Sequence, residues 1–313
     1  MMHEEQEYQS SKVMEREFHW CSIAQVKDQQ GSAEAELRFP YWSFTKTVIA
    51  ICALTLAERG VIQLDSLIDG QPYTLRQLLR HTSGLADYGQ IIDYHRDVAS
   101  NSLPWPRDKL LAAVLAQGQL FSPGQGWSYS NTGYMLAREH IEKASGKDFA
   151  SLVNEIIVLP LGLRHVEFAT LPHQFAKLHW KAAALYHPGW VYHGCLTGTP
   201  TEAAKILHAL FSGKLLGEES LQQMLICTPL GGAIPGRPWR ECGYALGLMS
   251  GTVEGLGRVI GHSGAGPFCV NAVYHFPDRA DPVTVACFTD GNDEGIAEFF
   301  ATRLAENSFY SNS

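Results

Sequence analysis

The sequence lacks the cysteine patterns of disulfide scaffolds and zinc modules. Its seven cysteines are scattered, their number is odd and none forms a C-x-x-C pair. We therefore expect free, mostly buried thiols in a reducing compartment. Residues 1–17 are polar and hold no apolar segment typical of a signal peptide, so we expect a cytoplasmic protein, or a periplasmic or secreted one if a leader has been removed.

Charge is also scarce. Only 18 % of the 313 residues are charged, the net charge is −8, and no run of Lys and Arg is present. This composition argues against nucleic acid and anionic membranes as partners, because both select clustered positive charge. The chain is 45 % hydrophobic, as is typical of a soluble enzyme with a substantial core. We expect neither a cofactor nor a metal.

The most informative segment is Ser43-Phe44-Thr45-Lys46. On a helix, residues three apart lie on one face, so the Lys amine can take a proton from the Ser hydroxyl. An ordinary Lys has a pKa of about 10.4, which must fall by roughly 3 for the amine to be neutral near pH 7. A simple helix N-cap is the structural alternative for Ser43. The dense apolar residues of 44–59 favour a buried helix, which would hold Ser43 rigidly.

Two later segments complete a pattern. Tyr129-Ser130-Asn131 lies in the middle of the chain, and Gly261-His262-Ser263-Gly264-Ala265-Gly266 lies near its end. Their order resembles the three-motif layout of serine β-lactamases and penicillin-binding proteins, and more closely the branch of class C β-lactamases, D-alanyl-D-alanine carboxypeptidases and family VIII esterases. Supporting segments also resemble this family: 78–85 (LLRHTSGL), 121–124 (FSPG) and 159–163 (LPLGL).

The resemblance implies a role for each motif residue. Ser43 is the expected nucleophile, with Lys46 and Tyr129 as its catalytic partners. A phenol beside a cationic Lys would have a lowered pKa and could relay protons, and the sequence leaves either Tyr129 or Lys46 as the base in acylation. Asn131 resembles the residue that orients Lys46 and the substrate carbonyl.

The third motif is expected to bind and orient substrate through His262, Ser263 and Gly264. The backbone N–H of Ala265 would share the oxyanion hole with that of Ser43. His262 stands where many relatives carry Lys, and a neutral imidazole holds a substrate carboxylate less well. Phe268 stands where relatives generally carry a small residue, which is a second departure from the family pattern.

The fold class implied is α+β, β-lactamase/transpeptidase-like, with an antiparallel sheet flanked by helices and an all-α domain. We expect residues 1–64 and 195–313 to form the α/β domain and 65–194 a mainly helical insertion, with the cleft between them. Predicted strands are 19–26, 36–39, 244–249, 258–260, 270–276 and 283–288. Predicted helices are 44–59, 75–79, 107–116, 134–144, 149–158, 201–211 and 293–306.

The sequence thus favours a serine hydrolase that acts through a Ser43 acyl-enzyme on a small ester, amide or D-peptide. An esterase or D-amino-acid peptidase with weak or no β-lactamase activity comes first, and an efficient class C-like β-lactamase is the alternative. A third alternative is a sensor that acylates without turnover. Residues 261–265 (GHSGA) nearly match the nucleophile elbow G-x-S-x-G, which would instead select Ser263, but the only later histidine, His275, is too close for that fold. Neither the natural substrate nor the oligomeric state is specified by the sequence.

Overall fold

A computed structural model describes residues 16–24, 29–32, 36–68 and 70–307. Its centre is an eight-stranded antiparallel sheet in the order β2-β1-β11-β10-β9-β8-β7-β6, and a small three-stranded sheet has the order β3-β5-β4. The strands are β1 (Phe18–Ala24), β2 (Gln30–Gly31), β3 (Phe39–Pro40), β4 (Glu167–Ala169), β5 (Cys195–Gly198), β6 (Thr228–Gly231), β7 (Trp239–Tyr244), β8 (Met249–Val253), β9 (Gly257–Ala265), β10 (Cys269–Phe276) and β11 (Val283–Asp290).

Most of the helical structure lies between β3 and β5. The helices are α1 (Phe44–Glu58), α2 (Leu75–Leu79), α3 (Ile92–Ala99), α4 (Arg107–Leu115), α5 (Asn131–Ser145), α6 (Phe149–Val153), α7 (Leu159–Leu161), α8 (Pro172–Phe175), α9 (Pro200–Phe211), α10 (Glu218–Leu225) and α11 (Glu294–Asn307). A single wide helical turn, Asn154–Val158, joins α6 to α7.

Both faces of the large sheet are covered by helices. Successive strand residues point to opposite faces, so β10 and β11 supply two separate cores. Val273, Ala286 and Phe288 join the core that contains α1 and α9. Val285 and Cys287 join the core that contains α11. The sheet is therefore a middle layer, buried on both sides.

The expected buried helix after Ser43 is present as α1. All but its last two residues are buried, because the apolar side chains of 44–56 surround its whole circumference. Gly60 follows with a φ of +70°, a left-handed conformation that glycine adopts without a steric cost and that ends the helix. Contacts with β9 and α5 place the helix between the two regions that carry the other motifs.

Two of the predicted strands are wrong. Residues 36–39 were expected to form a strand, whereas only Phe39 of this range is in one, β3, which pairs with β5 in the small sheet. Residues 244–249 were expected to form one strand, but they contain the turn between β7 and β8. Gly247 has a φ of +70° there, and a side chain at this position would collide with Ala50 and the backbone of α1.

The predicted strand 258–260 is too short, since β9 continues to Ala265 and carries the third motif. The remaining predicted elements agree with the structure to within three residues at each end, apart from positions 25–26, which lie outside the described residues. The division into a discontinuous α/β domain and a helical insertion at 65–194 stays a prediction. Across the described ranges, the model has no helix of the length and apolarity that a bilayer crossing requires.

Candidate active site

Ser43 stands at the entrance of α1, immediately after a residue in an unusual conformation. Trp42 has a φ of +46°, which is uncommon for a residue other than glycine, and it turns the chain sharply into the helix. The Ser43 side chain makes no capping hydrogen bond. Its Oγ instead lies 2.9 Å from Lys46 Nζ and 2.9 Å from the Tyr129 hydroxyl. The alcohol, the amine and the phenol expected to meet are therefore in direct contact.

Lys46 is completely buried on α1. Burial lowers the pKa of its amine from about 10.5 to about 7, because the charged form loses its hydration. The negative charges of Asp87 and Glu294 oppose that fall, but neither carboxylate forms an ion pair with Lys46. The amine is thus poised near neutrality, as a base that accepts a proton from Ser43 must be.

Tyr129 lies in the segment just before α5 and donates its hydroxyl hydrogen to Ser43 Oγ. Its pKa was expected to be lowered by Lys46, and this expectation is wrong. Burial holds the pKa of the Tyr129 phenol well above its ordinary value, and the hydrogen bond with Ser43 only partly offsets that effect. Tyr129 is therefore a phenol at rest.

His81 supports Tyr129 and was not recognised as a site residue. It lies in the turn after α2 with a φ of +63°, and its ring is 4.3 Å from the Tyr129 ring, centroid to centroid. His81 Nδ1 accepts the backbone N–H of Ser130 at 3.0 Å. Burial lowers the pKa of His81 well below its ordinary value, so it is neutral. The LLRHTSGL segment thus fixes both the ring and the backbone of the Tyr129 segment.

Asn131 was expected to orient Lys46, but its hydrogen bonds go to Asp87 instead. Its backbone N–H and its side-chain amide donate to the two carboxylate oxygens of Asp87, at 2.9 and 3.1 Å. Asp87 is buried, and burial raises the pKa of its carboxyl group. This pair joins the loop before α3 to the start of α5. No sequence motif indicated Asp87.

His262 lies on β9, and its ring is 6.4 Å from that of Tyr129. Its Nε2 is 3.0 Å from the Tyr244 hydroxyl, and its Nδ1 is 2.5 Å from the Ser263 carbonyl oxygen. Burial, followed by the charge of Lys46, lowers the pKa of His262 to about 3. The imidazole is neutral at ordinary pH and offers no fixed cation for a substrate carboxylate.

The rest of the third motif is held close to the chain that enters α1 by a glycine. A side chain at Gly264 would come within 2.8 Å of Trp42 Cβ and 2.9 Å of the Tyr41 carbonyl oxygen, so only glycine allows β9 to approach the chain that enters α1. Ala265 follows as the exposed last residue of β9. Its role in an oxyanion hole with Ser43 stays a prediction.

Ser263 belongs to a second polar cluster beside the site. Its Oγ accepts a hydrogen bond from Arg237 Nη2 at 2.9 Å and donates to Glu294 Oε1 at 3.2 Å. Arg237 also forms a two-pronged ion pair with the fully buried Glu298. The hydroxyl of Tyr274 donates to the same carboxylate. The ion pair between Arg237 and Glu298 raises the pKa of Arg237, although burial acts in the opposite direction. We name these side chains, with Trp239, the arginine cluster.

His193 lies outside the three motifs, in a segment, 173–193, that is rich in His and aromatic residues. The structure places its Nε2 3.2 Å from Lys46 Nζ. The density of His and aromatic residues in 173–193 was the only signal. From the same segment, Tyr186 lies with Phe268 around Trp42, at ring-centroid distances of 5.6 Å and 5.4 Å from Trp42.

Among the described residues, one group has donor atoms close enough to share a metal ion. It consists of Glu17, His19 and His179, whose ligand atoms lie within 4.8 Å of one another. None of the three hydrogen-bonds to Ser43, Lys46 or Tyr129, so the group is separate from the candidate active site.

A comparison with protein families gives a match to the model described as "Beta-lactamase" over residues 14–306. Penicillin-binding protein 4* of Bacillus subtilis (strain 168) is 26 % identical over 265 residues, which are 73 % of this chain and 56 % of that protein. Esterase EstB of Burkholderia gladioli is 31 % identical over 155 residues, which are 43 % of this chain and 39 % of the esterase. The chain thus spans about half the length, or less, of these relatives.

Among solved structures, the D-amino acid amidase from Ochrobactrum anthropi SV3 superposes with a TM-score of 0.76. The superposition covers 93 % of this chain and 91 % of the amidase, at 19 % identity. Identity at this level carries the fold alone. The expected α+β fold, a large antiparallel sheet with a helical region, is confirmed.

Proposed function

The chain belongs to the beta-lactamase family, and we propose that it is a serine hydrolase that works through an acyl-enzyme on Ser43. The observation that carries the proposal is the contact of Ser43 Oγ with both Lys46 Nζ and the Tyr129 hydroxyl, each at 2.9 Å. A nucleophile, a base that is neutral near pH 7 and a proton donor are what acyl transfer requires.

The proposed reaction has two steps. In acylation, Ser43 Oγ bonds to the substrate carbonyl carbon while its proton passes to Lys46 Nζ. The bond to the leaving group then breaks, Tyr129 gives that group its hydroxyl proton, and the proton on Lys46 restores the phenol. Water releases the acyl group in the second step, with the same residues in the reverse direction. The raised pKa of Tyr129 supports its role as the donor and that of Lys46 as the base in acylation.

For the substrate, we place short-chain esters first, D-amino-acid amides or peptides second and β-lactams last. The supporting observation is His262, whose neutral ring is engaged with Tyr244 and cannot hold a carboxylate by charge. One relative is named as an esterase, and a D-amino acid amidase has a similar fold, so both substrate classes occur among similar proteins. Phe268 packs against Trp42, next to the nucleophile, and favours small acyl groups.

The test compares hydrolysis of p-nitrophenyl butyrate, a D-phenylalanine amide and nitrocefin by the wild type and by Ser43→Ala. We expect the ester to give the largest kcat/KM, and we expect Ser43→Ala to lose at least about 1,000-fold. Ser145→Ala is the matched control, because it removes a hydroxyl bonded to a backbone carbonyl at the far end of α5. Ser263→Ala examines the rival nucleophile.

Four results would contradict the proposal. Nitrocefin turned over much faster than the ester would reverse the substrate order and favour a class C-like β-lactamase. A single stoichiometric burst without turnover would indicate a sensor. Full activity in Ser43→Ala would remove the proposed nucleophile, and covalent acylation at Ser263 would replace it.

A further inference from the structure

His193 touches the proposed base from outside the three sequence motifs. It directly precedes Gly194 and β5, and its side chain is 3 % exposed. One ring nitrogen, Nε2, is 3.2 Å from Lys46 Nζ, and the other, Nδ1, is 3.4 Å from the Tyr88 hydroxyl. That hydroxyl also accepts the backbone N–H of Tyr192 at 3.2 Å. A line of hydrogen-bonding groups therefore runs from Ser43 through Lys46 and His193 to Tyr88.

The chemistry of an amine restricts the directions of these hydrogen bonds. A neutral Lys has two N–H groups and one lone pair, and the lone pair must face Ser43 if Lys46 is to take the proton of its hydroxyl. An N–H of Lys46 then points at His193 Nε2, which must accept it. A neutral imidazole that accepts at Nε2 carries its hydrogen on Nδ1, and Tyr88 is the partner there.

We infer that His193 is a positioning residue that accepts a hydrogen bond from Lys46 and thereby turns the amine lone pair toward Ser43. The inference rests on the proposed function, since it assigns His193 a task in the same acyl transfer. The donors then point one way along the line: Tyr129 to Ser43, Ser43 to Lys46, Lys46 to His193 and His193 to Tyr88. Tyr88 acts at the end of this line by holding the Nδ1–H form of the imidazole.

His193 does not compete with Lys46 for the proton. Burial and the charge of Lys46 lower the pKa of His193 well below its ordinary value, and Arg138 and His262 act in the same direction. A backbone hydrogen bond with Trp42 opposes the fall without reversing it. The imidazole therefore stays neutral when Lys46 becomes an ammonium ion, and the same Nε2 lone pair accepts a hydrogen bond from either form of Lys46.

Other groups also act on Lys46 and must be kept intact in any test. Asp87 on the loop before α3, Glu294 on α11 and Cys195 on β5 favour the ammonium form. Lys46 in turn disfavours the charged forms of His81 and His262. The aromatic rings of Tyr129 and Tyr134 lie 5.0 and 5.7 Å from Nζ. Substitutions at His193 and Tyr88 change none of these residues.

The first experiment measures kcat against pH for p-nitrophenyl butyrate in His193→Phe and His193→Gln. Phenylalanine keeps the shape of the ring but cannot accept a hydrogen bond, so we expect kcat to fall roughly 100-fold through misorientation of the amine. In His193→Phe, the rising limb of the pH profile of kcat should move to lower pH by roughly 1 unit, because the ammonium form of Lys46 loses a hydrogen-bond acceptor. Glutamine offers a carbonyl oxygen to Lys46 and an amide hydrogen to Tyr88, and it should recover most of kcat.

Tyr88→Phe and Tyr94→Phe form a matched pair. Both tyrosines belong to one buried aromatic cluster, and each hydroxyl has a hydrogen-bond partner. Only the Tyr88 hydroxyl contacts His193, whereas that of Tyr94 donates to the Trp190 carbonyl oxygen at 2.8 Å. We expect Tyr88→Phe to lower kcat by about 3–10-fold with the same direction of pH shift, and Tyr94→Phe to leave both unchanged.

The second experiment reads the imidazole directly and needs no activity. Nitrogen-15 NMR of the histidine side chains, with His193→Phe for assignment, should show His193 neutral with its hydrogen on Nδ1. The inference is overturned if that hydrogen is on Nε2, if His193 is an imidazolium near pH 7, or if His193→Phe keeps the wild-type kcat and pH profile while Ser43→Ala is inactive. Activity that survives in Ser43→Ala would instead overturn the proposed function. If His193→Phe does not fold, Tyr88→Phe supplies both the assignment and the pH profile.

Discussion

Lys46 is fully buried and Arg237 is largely buried, and the structure treats the two side chains in opposite ways. Arg237 is paired with Glu298 and Glu294, and this pairing raises its pKa. Lys46 touches an alcohol and an imidazole but no carboxylate, and burial lowers its pKa to about 7. Pairing makes one cation permanent and part of the framework, whereas its absence leaves the other free to lose its proton.

The difference between paired Arg237 and unpaired Lys46 separates a side chain that stabilises the fold from one that is suited to proton transfer. A buried ion pair that keeps both partners costs little further energy, but an orphaned partner is expensive. A buried amine that becomes neutral avoids that penalty and gains basicity near pH 7. We therefore expect changes in the arginine cluster to reduce stability, and changes at Lys46 to reduce activity without reducing stability.

The largest expected effect is on turnover in Lys46→Met. Methionine fills a similar volume without an amine, so kcat/KM for p-nitrophenyl butyrate should fall about 1,000-fold, within the range for loss of a general base. The free energy of unfolding, measured with urea, should change by less than about 1 kcal/mol, because removing the buried amine offsets the loss of the hydrogen bond to His193 Nε2. A clear loss of stability in Lys46→Met would break the comparison.

The next largest effect is on stability in Glu298→Gln. Glu298 is fully buried, and its loss leaves Arg237 without its main counter-charge, so we expect about 3–5 kcal/mol less free energy of unfolding. Glu294→Gln is the control, since this carboxylate is partly exposed and should cost less than about 1 kcal/mol. Any Glu298→Gln protein that folds should keep the wild-type pH profile of kcat. A profile shifted as far as that of His193→Phe would mean that the arginine cluster and the residues around Lys46 are not separate.

A third effect concerns the pH dependence of stability. The pKa of Lys46 is about 7 in the folded chain and about 10.5 ordinarily, so between these values the unfolded chain binds more protons. The free energy of unfolding should therefore rise with pH between these two values, by up to about 1.4 kcal/mol per pH unit. Below about pH 7 the amine is protonated in both states, and this gain in stability is absent. The difference between wild-type and Lys46→Met urea unfolding, followed from about pH 7 to about pH 9, isolates this slope. A flat difference would mean that Lys46 has an ordinary pKa.

The smallest expected effect sharpens the account of the arginine cluster. Tyr274→Phe removes the hydroxyl that donates to Glu298, while Arg237 and Trp239 still donate to that carboxylate. We expect a loss of about 1–2 kcal/mol in the free energy of unfolding and no change in kcat. A loss as large as that of Glu298→Gln would show that the phenol, rather than the ion pair, holds the cluster.

The sequence alone was sufficient for the contact of Ser43 with Lys46, for α1 and for strands β1, β9, β10 and β11 of the large sheet. Ser43 and Lys46 share one helical turn, and an apolar run as dense as 44–56 has no alternative to burial. The strands at 270–276 and 283–288 are long and buried on both faces, so their composition is unambiguous.

What could not be predicted depends on contacts between distant parts of the chain. Lys46 and His193 are 147 residues apart, and Arg237 and Glu298 are 61 residues apart, with no shared motif. The direction of the Tyr129 pKa was wrong because desolvation in the folded protein exceeds the effect of a neighbouring amine that is itself half neutral. The turn at Gly247 was not predicted because the chain turns there to pack closely against α1, a contact that the local sequence does not reveal.

The most direct test of the central claim is the pKa of the Lys46 amine itself. Proteins labelled with carbon-13 at the lysine side chains can be titrated by NMR, and Lys46→Met identifies the resonance. We predict a midpoint near pH 7 for Lys46. A midpoint close to the ordinary value of about 10.5 would mean that Lys46 is a permanent cation, and the contrast with Arg237 would then fail.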